Sequence, residues 1–354
     1  MRPGPLRARG RLPGLARPSL PADSAGPPRI AHLALPRIAA YAADMSTPVD
    51  PNSDSPRGLA LVILTYALWG FLPLYMKALA HVPPVEVVAH RVIWSLPIAA
   101  AVLIWQRRTA EVVAALRSPR LLVMAVLTAM LISVNWLIYV WAIANDHAME
   151  AALGYYINPL FSVLLGAVLL KERLGRMQLF AIALAAAAVI IMTVQAGRLP
   201  LVAMGLTFSW GFYAYCKKSL PLGPNQGFTL EVLVLCPFAA GILIWLGLRG
   251  QSHFGIGAGA DTLLLLGCGA VTAVPLMMYA NGAKLVRLST VGILQYIAPT
   301  LIFLCAVLVF GEPFDQSRRI AFPLIWAALV LYSLGLWRQY GAARRKAAAT
   351  AQMQ

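Results

Sequence analysis

The chain has 354 residues, 60% hydrophobic and 12% charged, with a formal net charge of +16 and a mean hydropathy of +0.73. A soluble domain carries about 25% charged residues, so half that share points to lipid as the surrounding solvent and excludes a water-soluble enzyme or binding module. The basic residues sit in short clusters between apolar runs, the pattern of membrane orientation and not of a nucleic-acid surface.

Residues 1–57 form an N-terminal extension of a different material. Seven Arg and two acids precede Met45, with many Pro and Gly and no unbroken apolar stretch. This composition argues against a secretory signal and against packed helix, and the extension is expected to be disordered. An organelle transit peptide is a second reading of its Arg content. Met45 opens a second plausible start, so a chain beginning there is expected to insert normally.

A membrane helix needs about 20 mostly apolar residues. Ten such runs follow: Gly58–Met76, Val87–Trp105 (with Arg91 inside it), Leu121–Asn145, Ala151–Leu170, Met177–Gly197, Leu199–Cys216, Val232–Leu248, Thr262–Ala283, Leu288–Gly311 and Ile320–Trp337. With the N-terminus inside, the cytoplasmic loops and tail hold fifteen Lys and Arg, against six on the other side. The positive-inside rule therefore places both termini in the cytoplasm. The four cysteines, Cys216, Cys236, Cys268 and Cys305, lack C-x-x-C spacing and read as packing residues, so no metal or other cofactor is expected.

The second span opens "EVVAHRVIW", in which Glu86, His90 and Trp94 share one helix face beside Arg91. Ionisable groups in a membrane helix suggest function by default. Arg91 reads as an inward-facing anion-binding or gating residue, and Glu86 and His90 as gating or proton-relay candidates. The alternatives are interfacial snorkelling for Glu86 and Arg91, and plain packing for His90. In the third span Asn135 and Tyr139 lie four apart; an amide facing lipid would waste hydrogen-bonding capacity, so this face should point inward, for substrate or for an inter-helix bond.

The fourth span contains "GYYINPLFSVLLGAVLLKE" and the ninth "LQYIAPTLIFLCAVLVFGE". Shifted by 140 residues they align without a gap: Tyr156 on Tyr296, Pro159 on Pro299, Glu172 on Glu312. Tyr139 falls on Tyr279 at the same offset, and Trp69-Gly70-Phe71 on Trp210-Gly211-Phe212 at 141. Spans 1–5 (residues 58–197) thus resemble spans 6–10 (198–340), with 341–354 a short cytoplasmic tail. Five is odd, so the second half enters from the opposite face. The fold class is all-α, ten transmembrane helices in two inverted five-helix repeats. Paired helix breaks in such repeats point to a binding site near the midplane, because a proline frees a carbonyl that lipid cannot satisfy. Simple kinking of two packed helices is the alternative for Pro159 and Pro299. Tyr156 and Asn158 flank the first break, Gln295 and Tyr296 the second; with Arg91, Asn135, Tyr139 and Tyr279 they make the expected cavity, suited to a small amphipathic or anionic solute. Glu172 and Glu312, closing their spans at the membrane ends, read as structural caps or pairing partners, and Gly255–Asp261 as a linker.

The motifs "YALWGFLPLYMKAL", "EVVAHRVIWSL", "NWLIYVWAI", "EAALGYYINPL" and "KERL", in this order, resemble the RarD group of the EamA branch of the drug/metabolite transporter superfamily. The resemblance covers about Gly58 to Tyr340 and implies an inner-membrane permease, not an enzyme. No H-E-x-x-H occurs, no span has an interior aspartate, and no Walker motif is present. A non-transporting membrane sensor or scaffold is the rival reading, weakened by the absence of a soluble domain between the spans. The expected partners are a small-molecule substrate and the lipid bilayer; a homodimer is left open and nucleic acid is excluded.

Overall fold

A computed structural model describes residues 55–169, 175–197, 199–218, 220–255, 259–286, 290–291 and 294–352. The greater part of the N-terminal extension and Glu172 lie outside the described residues. In chain order the helices are α1 (Pro56–Ala78), α2 (Pro84–Trp105), α3 (Thr109–Leu116), α4 (Pro119–Ala144), α5 (Ala148–Leu169), α6 (Arg176–Ala196), α7 (Leu201–Lys218), α8 (Pro224–Leu248), α9 (Gly259–Gly282), α10 (Ile297–Leu304) and α11 (Gln316–Gln352). No strand occurs among the described residues.

Four of these helices, α1, α2, α4 and α8, begin with proline at the first turn. There the missing N–H costs nothing and the fixed φ favours the helix. Gly197, at φ 64°, ends α6 in the left-handed conformation that side chains other than glycine adopt at a cost. Among the described residues seven helices are long and apolar enough to cross a membrane: α1, α2, α4, α8 and α9, with Arg176–Gln195 of α6 and Gln316–Gly335 of α11. Their outer faces carry bare apolar side chains, among them Val123, Val194 and Leu248. In water such a surface would drive aggregation, whereas in hydrocarbon it is at rest. The molecule is a multi-pass membrane protein.

The helices pack in crossed pairs. α1 lies on α9 and α10, and α7 lies on α4 and α5; α2 packs on α9, and α8 on α4; α2 meets α8, α5 meets α10, and α6 meets α11. Close approach depends on glycine at several of these crossings, among them α1 on α10 and α7 on α5. A Cβ on Gly70 would come within 2.5 Å of the Leu301 side chain, and one on Gly211 within 2.4 Å of Phe161.

Three elements differ from the sequence expectation. The loop after α2 contains a short helix, α3, whose Val112 and Ala115 are buried against α8. Pro159 does not break its helix: α5 runs through it from Ala148 to Leu169. Pro299 does follow a break, because Gln295 and Tyr296 form a turn immediately before α10, which then widens into a π turn at Cys305–Val309. Two prolines matched in sequence therefore sit in unequal backbones. Prolines also lie inside α1, α2, α8, α9 and α11, so in this chain an internal proline alone does not single out a site.

Candidate functional site

Seven of the residues singled out from sequence converge on one cavity of about 160 Å³: Arg91, Asn135, Tyr139, Asn158, Tyr279, Gln295 and Pro299. The remainder of the lining is Tyr66, Trp69, Leu72, Trp136, Tyr155, Trp210, Thr272, Leu276, Ala298 and Ile302. The lining comes from α1, α2, α4, α5, α7, α9, and α10 with the turn before it.

One wall is an aromatic box. The Tyr66 and Trp69 ring centroids lie 5.8 and 5.7 Å from that of Tyr279, and Trp69 meets Trp210 edge-on at 6.4 Å. Trp69 and Trp210 are equivalent in the sequence repeat, as are Tyr139 and Tyr279, and all four line this space.

The opposite wall carries the charge. Arg91 is 4% exposed; its guanidinium lies over the Trp136 ring at 4.7 Å and its Nε donates to Thr272 Oγ1 at 2.9 Å. Thr272 in turn donates to the Cys268 carbonyl. Arg91 Nη1, Tyr139 OH and Asn158 Oδ1 are buried with no hydrogen-bond partner. Three orphaned polar atoms in one cavity are unusual, since buried polar groups are ordinarily satisfied and each lapse costs about 1–3 kcal/mol. Asn135 differs. Its Nδ2 donates to Leu206 O and Ser209 Oγ, and Tyr155 OH donates to its Oδ1 at 3.4 Å, so it pins α4 to α7.

The other candidates lie elsewhere. Tyr156 and Tyr296 line a separate recess with Thr300, Trp326 and Ser333, and Tyr156 OH bonds Thr300 Oγ1 at 2.8 Å. Their neighbour Tyr155 faces the central cavity instead; one residue turns a helix by about 100°, and Tyr155 rather than Tyr156 shares the inward face with Asn158. Pro159 lines no described cavity near Arg91. Glu86 is fully buried at the start of α2, where its carboxylate accepts from His253 N, His253 Nδ1 and Ser252 Oγ, at 2.8, 2.8 and 3.2 Å. His90 Nδ1 accepts from Trp94 Nε1, and the His90 ring lies 4.8 Å from that of Phe254. Glu86 and His90 therefore hold the Ser252–Phe254 loop to α2, away from the cavity lining. Glu312 accepts from the amides of Ala148 and Met149 at the first turn of α5, at 2.6 and 3.0 Å, which is a cap as its place in the repeat suggested. A larger cavity of 320 Å³ between α5, α6 and α7 is apolar apart from Thr207 and offers nothing to recognise a polar solute.

Sequence reasoning passed over Trp69, Trp210, Tyr155 and Thr272. The two tryptophans were signalled by their repeated Trp-Gly-Phe setting and Tyr155 by its phase with Asn158. Nothing in the sequence flags Thr272, which meets Arg91 across 181 residues. Among the described residues no group of His, Cys, Asp and Glu is arranged to hold a metal.

Residues 56–194 match the EamA-like transporter family. An uncharacterized transporter of Vibrio cholerae is 42% identical over 294 residues, 83% of this chain and 97% of its own. Protein RarD of Escherichia coli is 38% identical over 276 residues, 78% and 93% of the two chains. One solved crystal structure superposes with a TM-score of 0.53 over 80% of this chain and 98% of its own, at 21% identity, a likeness of fold alone.

Proposed function

Because the chain belongs to the RarD group of the EamA-like transporter family, and so is a membrane transporter, we propose that it is a secondary permease. It carries a small metabolite or drug-like molecule across the cytoplasmic (inner) membrane by alternating access about the central cavity. The observation that carries the reading is the cavity itself. It is lined from both halves of the chain by residues that the repeat makes equivalent, Trp69 with Trp210 and Tyr139 with Tyr279.

The packing supports the inverted repeat. Three crossings of a first-half helix on a second-half one have their mates with the halves exchanged: α4 on α7 and α9 on α1, α5 on α7 and α10 on α1, α2 on α9 and α8 on α4. Ten spans, counting α5, α7 and α10, and two cytoplasmic termini complete the proposal. With no Walker motif to bind ATP, a proton gradient or simple facilitated diffusion drives the cycle.

The test is counterflow of candidate metabolites into proteoliposomes, with and without a proton gradient. A Tyr279→Ala, Trp210→Ala double variant at normal membrane abundance should lose uptake. Undiminished uptake by that variant would place the pathway outside this cavity.

A further inference from the structure

We propose that the solute recognised in this cavity is a small organic monoanion, a carboxylate on a body about the size of one ring, anchored by Arg91 on Trp136. The proposal rests on the transporter reading and narrows it to a substrate class.

The first ground is charge. The guanidinium of Arg91 is buried in an apolar bundle, and isolating a cation there is costly unless an anion joins it. Among the described residues no carboxylate does so, because each one is engaged elsewhere. Glu86 is held by His253 and Ser252, Glu111 by Arg108 and Gln226, and Asp146 by Lys77. Glu150 pairs with His147, Glu231 with Lys217, Asp261 with His81, and Asp315 with Ser317. Glu312 caps α5. Thr272, a neutral acceptor, takes Nε alone and leaves Nη1 without a partner. Held at Nε by Thr272 and lying over Trp136, the planar guanidinium fork suits a planar carboxylate better than a spherical ion.

The second ground is the count and placement of polar atoms. Tyr139 OH, an available donor, is orphaned in the same lining as Nη1, and the Asn158 amide can turn either edge inward. One cation neutralises one charge, so a dianion would bring an uncompensated charge into the bilayer interior. An ammonium group would find no described carboxylate in the lining.

The third ground is size and surface. The rest of the lining is the aromatic box of Tyr66, Trp69, Trp210 and Tyr279. A protein cavity of about 150 Å³ admits benzene, and this one measures about 160 Å³. A one-ring body fits as the structure stands.

The purified full chain in detergent and in proteoliposomes provides the test, with benzoate as probe, benzamide and benzylamine as near-isosteres differing in charge, and phenylalanine as a larger zwitterion. Quenching of the cavity tryptophans should report saturable benzoate binding about tenfold or more tighter than benzamide, the discrimination of one charge-assisted hydrogen bond. Benzylamine and phenylalanine should be weaker still. Arg91→Gln should abolish the preference for benzoate over benzamide, and Arg91→Lys should weaken benzoate binding while keeping the preference for a negative charge. Because the ligand series is read on the unaltered protein, instability of the variants leaves the test intact. Equal binding of benzoate and benzamide, or no binding of benzoate by folded protein, overturns the proposal. Benzoate binding without counterflow would instead spare the anion site and remove the transporter reading.

Discussion

Asn135 commits both ends of its amide to protein partners on α5 and α7, whereas Asn158 leaves its Oδ1 bare in the same cavity. The two should respond differently to truncation. Asn135→Ala strands Tyr155 OH and Ser209 and should lower stability by about 1–3 kcal/mol, read as an earlier thermal unfolding in detergent. Tyr139→Phe removes a hydroxyl that already lacks a partner, so it should leave stability equal or slightly higher while reducing solute flux. A Tyr139→Phe protein that unfolds earlier and transports normally would reverse the assignment, making the hydroxyl structural. Residue types were legible in the sequence and partners were not. Asn and Tyr in a hydrophobic helix announce an inward face, but whether a neighbouring helix or a solute satisfies them depends on contacts such as Ser209 and Thr272, far away in the chain. Helix phase was the finer failure: a one-residue step put Tyr156 against Thr300 and gave the cavity to Tyr155.

At the scale of elements, apolar runs predicted most of the long helices within a few residues, because length and hydropathy are all that lipid demands of a span. The exceptions are the start of α8, at Pro224 where Val232 was expected, and the end of α11, at Gln352 where Trp337 was expected. Where a helix is short or irregular the signal faded. α3 lies among loop charges, and the π turn at Cys305–Val309 leaves no mark in a uniformly apolar run. The same limit affects which positions of an apolar helix face lipid: on α6, Leu184 packs on the core and Ile191 is half-buried, while Ile190 and Val194 are among the exposed residues. Val194→Ala should be silent in both stability and transport. Gly269→Ala should not. Its Cβ would meet the Trp94 carbonyl at 2.2 Å, a backbone atom that cannot swing aside, so α9 must retreat from α2 at about 1–3 kcal/mol. The α5 cap offers a pH test. Burial pushes the Glu312 carboxyl up from its ordinary value, against the opposing pull of the Met149 and Ala148 amides and Arg318. The folded chain then holds the proton more tightly than the unfolded one. Stability from this group is complete at pH below the ordinary carboxylate range and declines as pH rises through the raised value. Glu312→Gln should flatten that acid-side slope in thermal unfolding; an unchanged slope would assign it to another group.

For the molecule as a whole, polar pins close both ends of the bundle around the cavity. At one end stand Lys77–Asp146, Glu86–His253 and the Glu312 cap; at the other, Lys217–Glu231 and the contacts of Gln226 with Glu111 and Asn225 with Gln106. The proposed rocking cycle would break one set while keeping the other, so which end faces the cytoplasm decides what each pin would gate. The chain answers through its basic residues. Arg107, Arg108, Arg117 and Arg120 flank α3 at the Glu111 end, and the fifteen-to-six division of Lys and Arg favours that end inside. On the proposed inverted repeat, an odd number of spans per half turns the second half over, and that inversion would let matched residues such as Trp69 and Trp210 meet across one cavity. Reporter fusions after Gly197 and after Gly250 should therefore both read extracytoplasmic, and a fusion after Arg108 cytoplasmic. The Gly197 fusion is the decisive one. It lies at the junction of the halves, so a cytoplasmic signal there would mean an even number of crossings before it. The second half would then run parallel to the first, and the facing tryptophans would lose their symmetry explanation.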